Sequence, residues 1–242
     1  MASSQFHTVL PPAALLAWWA TAWLRGLTVT DLLLDAMTDD DRLHRDDEGA
    51  SLATALGRMR TAGATGCGLA LPVEGDPLGL GGPPALTSLA LDHGSAVVCA
   101  EAGLALVPEE GTETVTWHVT GAERRQVPDV GEADRDLRRT TLEAADALAR
   151  LDIGRWRPEA ADLFLDGTRH LPLAPPGTPE RCLSLAARSL TALSIVDLAL
   201  DDDGGATSAS EIRRRREALV PLDRAARRGL VAACSPEVWP PG

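Results

Sequence analysis

The sequence predicts an α+β fold with N-terminal helices, a small antiparallel sheet in the middle and a C-terminal helical bundle. Three observations carry this. Apolar residues recur at helical spacing over roughly the first 63 residues, alternate at period two between roughly 66 and 121, and return to helical spacing after Pro128. A chain of 242 residues can bury a substantial core. The expected layout is one unit with an internal boundary near Gly121–Asp129, dividing 1–127, the helical layer and sheet, from 128–242, the bundle.

The elements follow in order. Pro11-Pro12 suits a helix start, and Leu15, Leu16, Trp19 and Trp23 recur at helical spacing behind it. Trp18 lies about 100° away from that stripe, facing either the protein interior or a partner. A second helix follows Thr28, with Val29, Leu32, Leu33 and Ala36 on its apolar face, and the acidic stretch TDDDRLHRDDEG reads as a connection. A third helix places Leu52, Leu56 and Met59 together.

Leu69, Leu71 and Val73 alternate as in a strand. SAVVCAEAGLALVP reads as two strands turning near Ala102-Gly103, and PPALTSLALDHG as a short helix before them. TETVTWHVT, residues 112–120, puts Val115, Trp117 and Val119 on one face and Thr114, Thr116, His118 and Thr120 on a wet one.

Beyond Pro128, Asp129 and Glu132 have capping-box spacing ahead of a stripe of Leu137, Thr141, Ala144, Ala145, Leu148 and Leu151. A short helix follows Pro158. Thr178 and Pro179 open a helix over about 179–200 that is apolar nearly all round, as the centre of a bundle would be. Ser208 and Glu211 have capping-box spacing again, and Pro221 is expected to separate the last two helices.

Composition narrows the chemistry. The chain has no Lys, Tyr or Asn, a bias expected of GC-rich bacterial coding, so all 23 basic residues are Arg. Schiff-base catalysis and phosphate-binding lysines are thereby excluded. A net charge of −12 argues against nucleic acid and favours a basic protein surface as partner. The arginines at 213–216 fan around a helix and pair with Glu211 and Glu217, which suits a solvated face. Cys67, Cys99, Cys182 and Cys234 form no CxxC pair and read as free thiols of a cytoplasmic protein. The 15-residue apolar stretch from Leu10 to Leu24 is too short for a bilayer, so no membrane role is expected.

No recognised motif survives inspection. LALPVEGDPLGLGGPP lacks the dinucleotide-loop spacing, carries Glu74 and Asp76 where an anion would sit, and places prolines where N–H donors are needed. DDDGGATSASEI fails the calcium-loop pattern. Asp40, His44 and Glu48 have the spacing of one helical face but sit in a stretch read as connection, and Asp92-His93-Gly94-Ser95 is too local for a catalytic triad. The sequence therefore assigns no catalytic residue, no metal and no cofactor.

The expected function is a non-enzymatic, acidic cytoplasmic adaptor that binds another protein. The alternative is a small-molecule enzyme or ligand-binding domain using the polar sheet face, with Asp92 and Glu101 as further polar groups. Candidate partner or ligand contacts are Glu74, Asp76, Leu78 and Leu80 in the Pro/Gly loop, and His118 on the wet face.

Overall fold

Helix α1 (Pro12–Leu24) begins with proline at its first position and is buried on nearly every side. The computed structural model describes residues 10–38, 42–150, 173–201 and 209–240. Small residues such as Ala13, Ala14, Ala17 and Ala20 let α1 approach the sheet closely, and Trp18 and Trp19 fill the remaining volume. Trp18 is fully buried, and its indole N–H donates to the carbonyl of Ala233 at 3.1 Å. Its polar tip is thus satisfied inside the protein.

Helix α2 (Thr30–Met37) follows, then β1 (Leu43–Asp46), α3 (Leu52–Thr61), β2 (Gly68–Ala70), α4 (Pro84–His93), β3 (Ala96–Cys99), β4 (Leu104–Glu110) and β5 (Thr114–Gly121). The strands form one sheet in the order β1-β5-β4-β3-β2. The α+β class holds, but the sheet is mixed: β1 runs parallel to β5, and the other pairs are antiparallel.

Strand β1 lies inside the stretch read as an acidic connection. It is a four-residue edge strand without alternating apolar residues, so its only signals are tertiary. The Trp117 indole N–H donates to His44 Nδ1 at 3.1 Å, and the buried Asp46 carboxylate accepts the backbone N–H groups of Glu48 and Ala50. His44 therefore sits on a strand, and Glu48 follows in a turn, so the helical-face ligand spacing does not exist; Asp40 lies outside the described residues.

The two sheet faces differ. One packs against α1 and the C-terminal helices through Leu69, Val97, Cys99, Leu106, Val115 and Trp117. The other carries a smaller core in which Leu86 and Ala90 of α4 cover Ala70, Ala96, Val98, Ala105 and Val107. The face expected to be wet is thus roofed over β2, β3 and β4 and open beside β5.

The C-terminal bundle comprises α5 (Val130–Arg150), α6 (Glu180–Asp201) and α7 (Ala209–Ala233). Asp129 accepts the Glu132 backbone N–H at 2.9 Å, as an N-cap should. The Thr178 hydroxyl instead donates to the carbonyl of Pro175. Helix α6 is long and apolar enough to cross a membrane, yet it contributes Cys182, Leu185, Ala186 and Leu190 to the bundle core, which explains its composition. Helix α7 runs unbroken through Pro221, correcting the expected division. Val220 and Pro221 face solvent, so water can satisfy the carbonyl that loses its intrahelical partner.

Cys67 and Cys99 form a disulfide, which corrects the reading of four free thiols. Gly68 pairs with Val98 and Leu69 with Val97, so Cys67 and Cys99 stand opposite each other across adjacent strands. Their separation of 32 residues concealed this in the sequence. Cys182 and Cys234 are free and buried.

Candidate functional site

The site is assembled by three elements where α4 stops covering the sheet. His93 is the last residue of α4, whose end is set by Gly94 in the left-handed conformation (φ 77°). A residue with a side chain would be strained there, so the glycine marks where the helix releases the chain. Glu109 lies near the end of β4, and His118 lies within β5. The register places His118 opposite Val107 and Thr116 opposite Glu109. Glu109 and His118 are therefore diagonal neighbours on one face.

The distances are short. His118 Nε2 and Glu109 Oε2 are 2.9 Å apart, and the His93 and His118 rings stack with centroids 5.7 Å apart and planes 26° from parallel. One ligating atom from each of the three residues lies within 4.8 Å of the other two. An ionised carboxylate can only accept, so the contact with Glu109 requires a proton on His118 Nε2. The His118 side chain is 27% exposed and that of Glu109 is 56% exposed, so the group is reachable from solvent. Thr116 and Thr120 share the face, and Arg45, in register with Thr116, extends the row onto β1.

Only His118 among the sequence-derived candidates enters this group. Glu101, in the turn after β3, is engaged elsewhere, accepting both the N–H and the hydroxyl of Thr65. Asp92 is exposed beside His93. Glu109 was not among the sequence-derived candidates, and His93 was weighed only within Asp92-His93-Gly94-Ser95. Period-two counting along β4, paired with β5, could have put Glu109 on the face of His118. Nothing in the local sequence signalled that the end of α4 would arrive there.

The Pro/Gly loop lies outside this group. Leu78 and Leu80 are buried, one in each hydrophobic core, so they anchor the loop to its own protein. Glu74 is exposed. Asp76 lies 3.4 Å from the guanidinium of Arg227 and 3.6 Å from that of Arg224, tying the loop to α7.

Arg125 holds the loop from the other side. Its side chain is 1% exposed and donates to the carbonyls of Leu69 (2.7 Å) and Gly79 (3.0 Å), to Ser235 Oγ (3.0 Å) and to the Glu237 carboxylate (2.8 Å). Burial lowers the pKa of Arg125, opposed by Glu237, yet an arginine remains charged throughout the ordinary pH range. A side chain at Gly81 would put its Cβ 1.9 Å from the carbonyl oxygen of Arg124. Glycine there is required by close approach of two backbones.

The chain is similar along most of its length to one family. The N-terminal domain of the Rv1486c-like proteins matches residues 13–132, and their C-terminal domain matches residues 131–231. Two curated relatives, from Mycobacterium tuberculosis strains H37Rv and CDC 1551, are named "Uncharacterized protein Rv1486c" and "Uncharacterized protein MT1533". Each is 27% identical over 288 aligned positions, covering 95% of this chain and 99% of the relative. No solved structure matches the chain.

Proposed function

The chain belongs to the Rv1486c-like family, and we propose that it is a ligand-binding domain whose site is the uncovered part of the polar sheet face. The observation that carries this reading is the convergence of His93, Glu109 and His118 from a helix and two strands. Packing alone does not require such a group: two imidazoles and a carboxylate bury little apolar area, and an exposed ion pair contributes about 0–1 kcal/mol. They do provide directional donors and acceptors beside the Thr116 and Thr120 hydroxyls, with the Arg45 cation farther along the row. That inventory suits a small polar or anionic ligand better than an apolar one.

Nitrogen-15-labelled protein titrated with a panel of small carboxylates, phosphates and amines tests the reading. Chemical shift changes should cluster on His93, Glu109, Thr116, His118 and Thr120 and should vanish in Glu109→Gln. A panel that shifts no residue on this face would remove it.

A second reading, an adaptor for a basic protein, draws on the net charge of −12 and on an exposed apolar group. Leu27, Val29 and Leu32 are 48%, 60% and 53% exposed beside the exposed Asp31 and Asp35, the mixture that a basic, apolar peptide would complement. An arginine/leucine-rich peptide added to the same labelled sample should shift these residues; absence of any shift there would end this reading.

A further inference from the structure

We propose that His93, Glu109 and His118 form a binding site for a divalent transition cation of the zinc class. The inference rests on the ligand-binding reading above and adds the metal ion on which a small polar or anionic ligand would be held. Two imidazoles and one carboxylate are the donor set that zinc and its neighbours prefer, whereas calcium and magnesium select all-oxygen sites. With the ligating atoms all within 4.8 Å of one another, there is a point no more than about 2.8 Å from any of them. Zinc bonds of about 2.0–2.1 Å then need each donor to move inward by less than roughly 1 Å. Glu109, the most exposed of the three, can supply much of this by side-chain rotation.

The proton balance is simple. Where His118 Nε2–H now meets the Glu109 carboxylate, the cation takes the place of that proton. The proton leaves to solvent or His118 adopts the Nδ1–H tautomer, so Nε2 can donate its lone pair. Three protein ligands on an open face leave further positions for water or for an anionic ligand, the arrangement of metal sites that do more than hold a fold together. Asp92 adds negative charge beside His93, and Arg45 is the cation on the same face. The chain's net negative charge favours cation approach overall.

The experiment is isothermal titration of the full chain, dialysed against chelator, with zinc, magnesium and calcium separately. Zinc should bind one-to-one with a Kd of micromolar order or tighter, and magnesium and calcium should give no comparable heat. His93→Ala, Glu109→Gln and His118→Ala should each weaken zinc at least about tenfold while preserving the circular dichroism spectrum, since all three side chains lie at the surface. Histidine nitrogen-15 spectra should show metal-dependent shifts at His93 and His118.

Zinc binding that survives all three substitutions, or that is lost only in Cys182→Ala/Cys234→Ala, would overturn the proposal. If zinc does not bind but small polar molecules still shift this face, the metal inference fails and the ligand-binding reading stands. If neither binds, both fail.

Discussion

Replacing Arg125 with methionine should destabilise the protein strongly although the residue sits in a connecting segment. Its guanidinium serves the carbonyls of Leu69 and Gly79, the Ser235 hydroxyl and the Glu237 carboxylate, joining the central sheet, the Pro/Gly loop and the C-terminal turn. Methionine keeps the packing volume and removes every donor. Each buried acceptor left without a partner costs about 1–3 kcal/mol. Glu237, whose side chain is 40% exposed, regains water and adds little. Relaxation offsets part of the sum over the three buried acceptors, leaving a loss of about 4 kcal/mol. At about 2–4 °C per kcal/mol for a chain of this size, Tm should fall by roughly 8–16 °C.

Urea denaturation followed by far-ultraviolet circular dichroism supplies the free energy, and a thermal melt supplies Tm. Gly68→Ala offers an internal check, because the added Cβ would lie 1.7 Å from an Arg125 guanidinium nitrogen. It should be destabilising in the native background and distinctly less so beside Arg125→Met, because the crowding partner is gone. An Arg125→Met protein within about 0.5 kcal/mol of the parent, or strict additivity of the two changes, would refute the reasoning.

Two predictions concern the cysteines. Thiol titration of the oxidised protein in denaturant should detect Cys182 and Cys234 only, rising to four thiols after reduction, and Cys67→Ser/Cys99→Ser should lose about 3–4 kcal/mol for a cross-link closing 32 residues. Four thiols in protein never exposed to reductant would contradict the disulfide. Alkaline stability should be governed by the other pair. Burial pushes the Cys182 thiol from 9.0 up to about 11, opposed by Arg181, and pushes Cys234 up as well. Unfolded thiols ionise first, so this contribution is fully present below about pH 9 and declines as pH rises towards about 11. With no Lys or Tyr in the chain, no other side-chain type titrates across that window. Urea denaturation at pH 8, 9.5 and 10.5 should show the decline in the parent and a flatter profile in Cys182→Ala; identical slopes would refute the assignment.

Features with a local cause were legible in the sequence. Pro12 at a helix start, Asp129 capping α5, the alternation of Val115, Trp117 and Val119, and the all-round apolar α6 each express steric or hydrophobic rules acting over a few residues. His118 was found because period-two geometry puts it opposite Trp117's face. The packing of the Pro/Gly loop was hidden: Leu78, Leu80 and Asp76 turn to their own protein, and Arg125 clamps the backbone.

What the sequence determined by itself is thus the α+β class, the succession of most helices and strands, and an alkaline titration left to cysteines. Tertiary structure alone decided the parallel docking of β1, the Cys67–Cys99 bond, the passage of α7 through Pro221 and the meeting of His93 with Glu109 and His118. The physical reason is range. Backbone sterics and periodicity act between near neighbours, whereas each of these features depends on which surfaces become adjacent when the whole chain is packed, or, at Pro221, on which side of a helix is left to water.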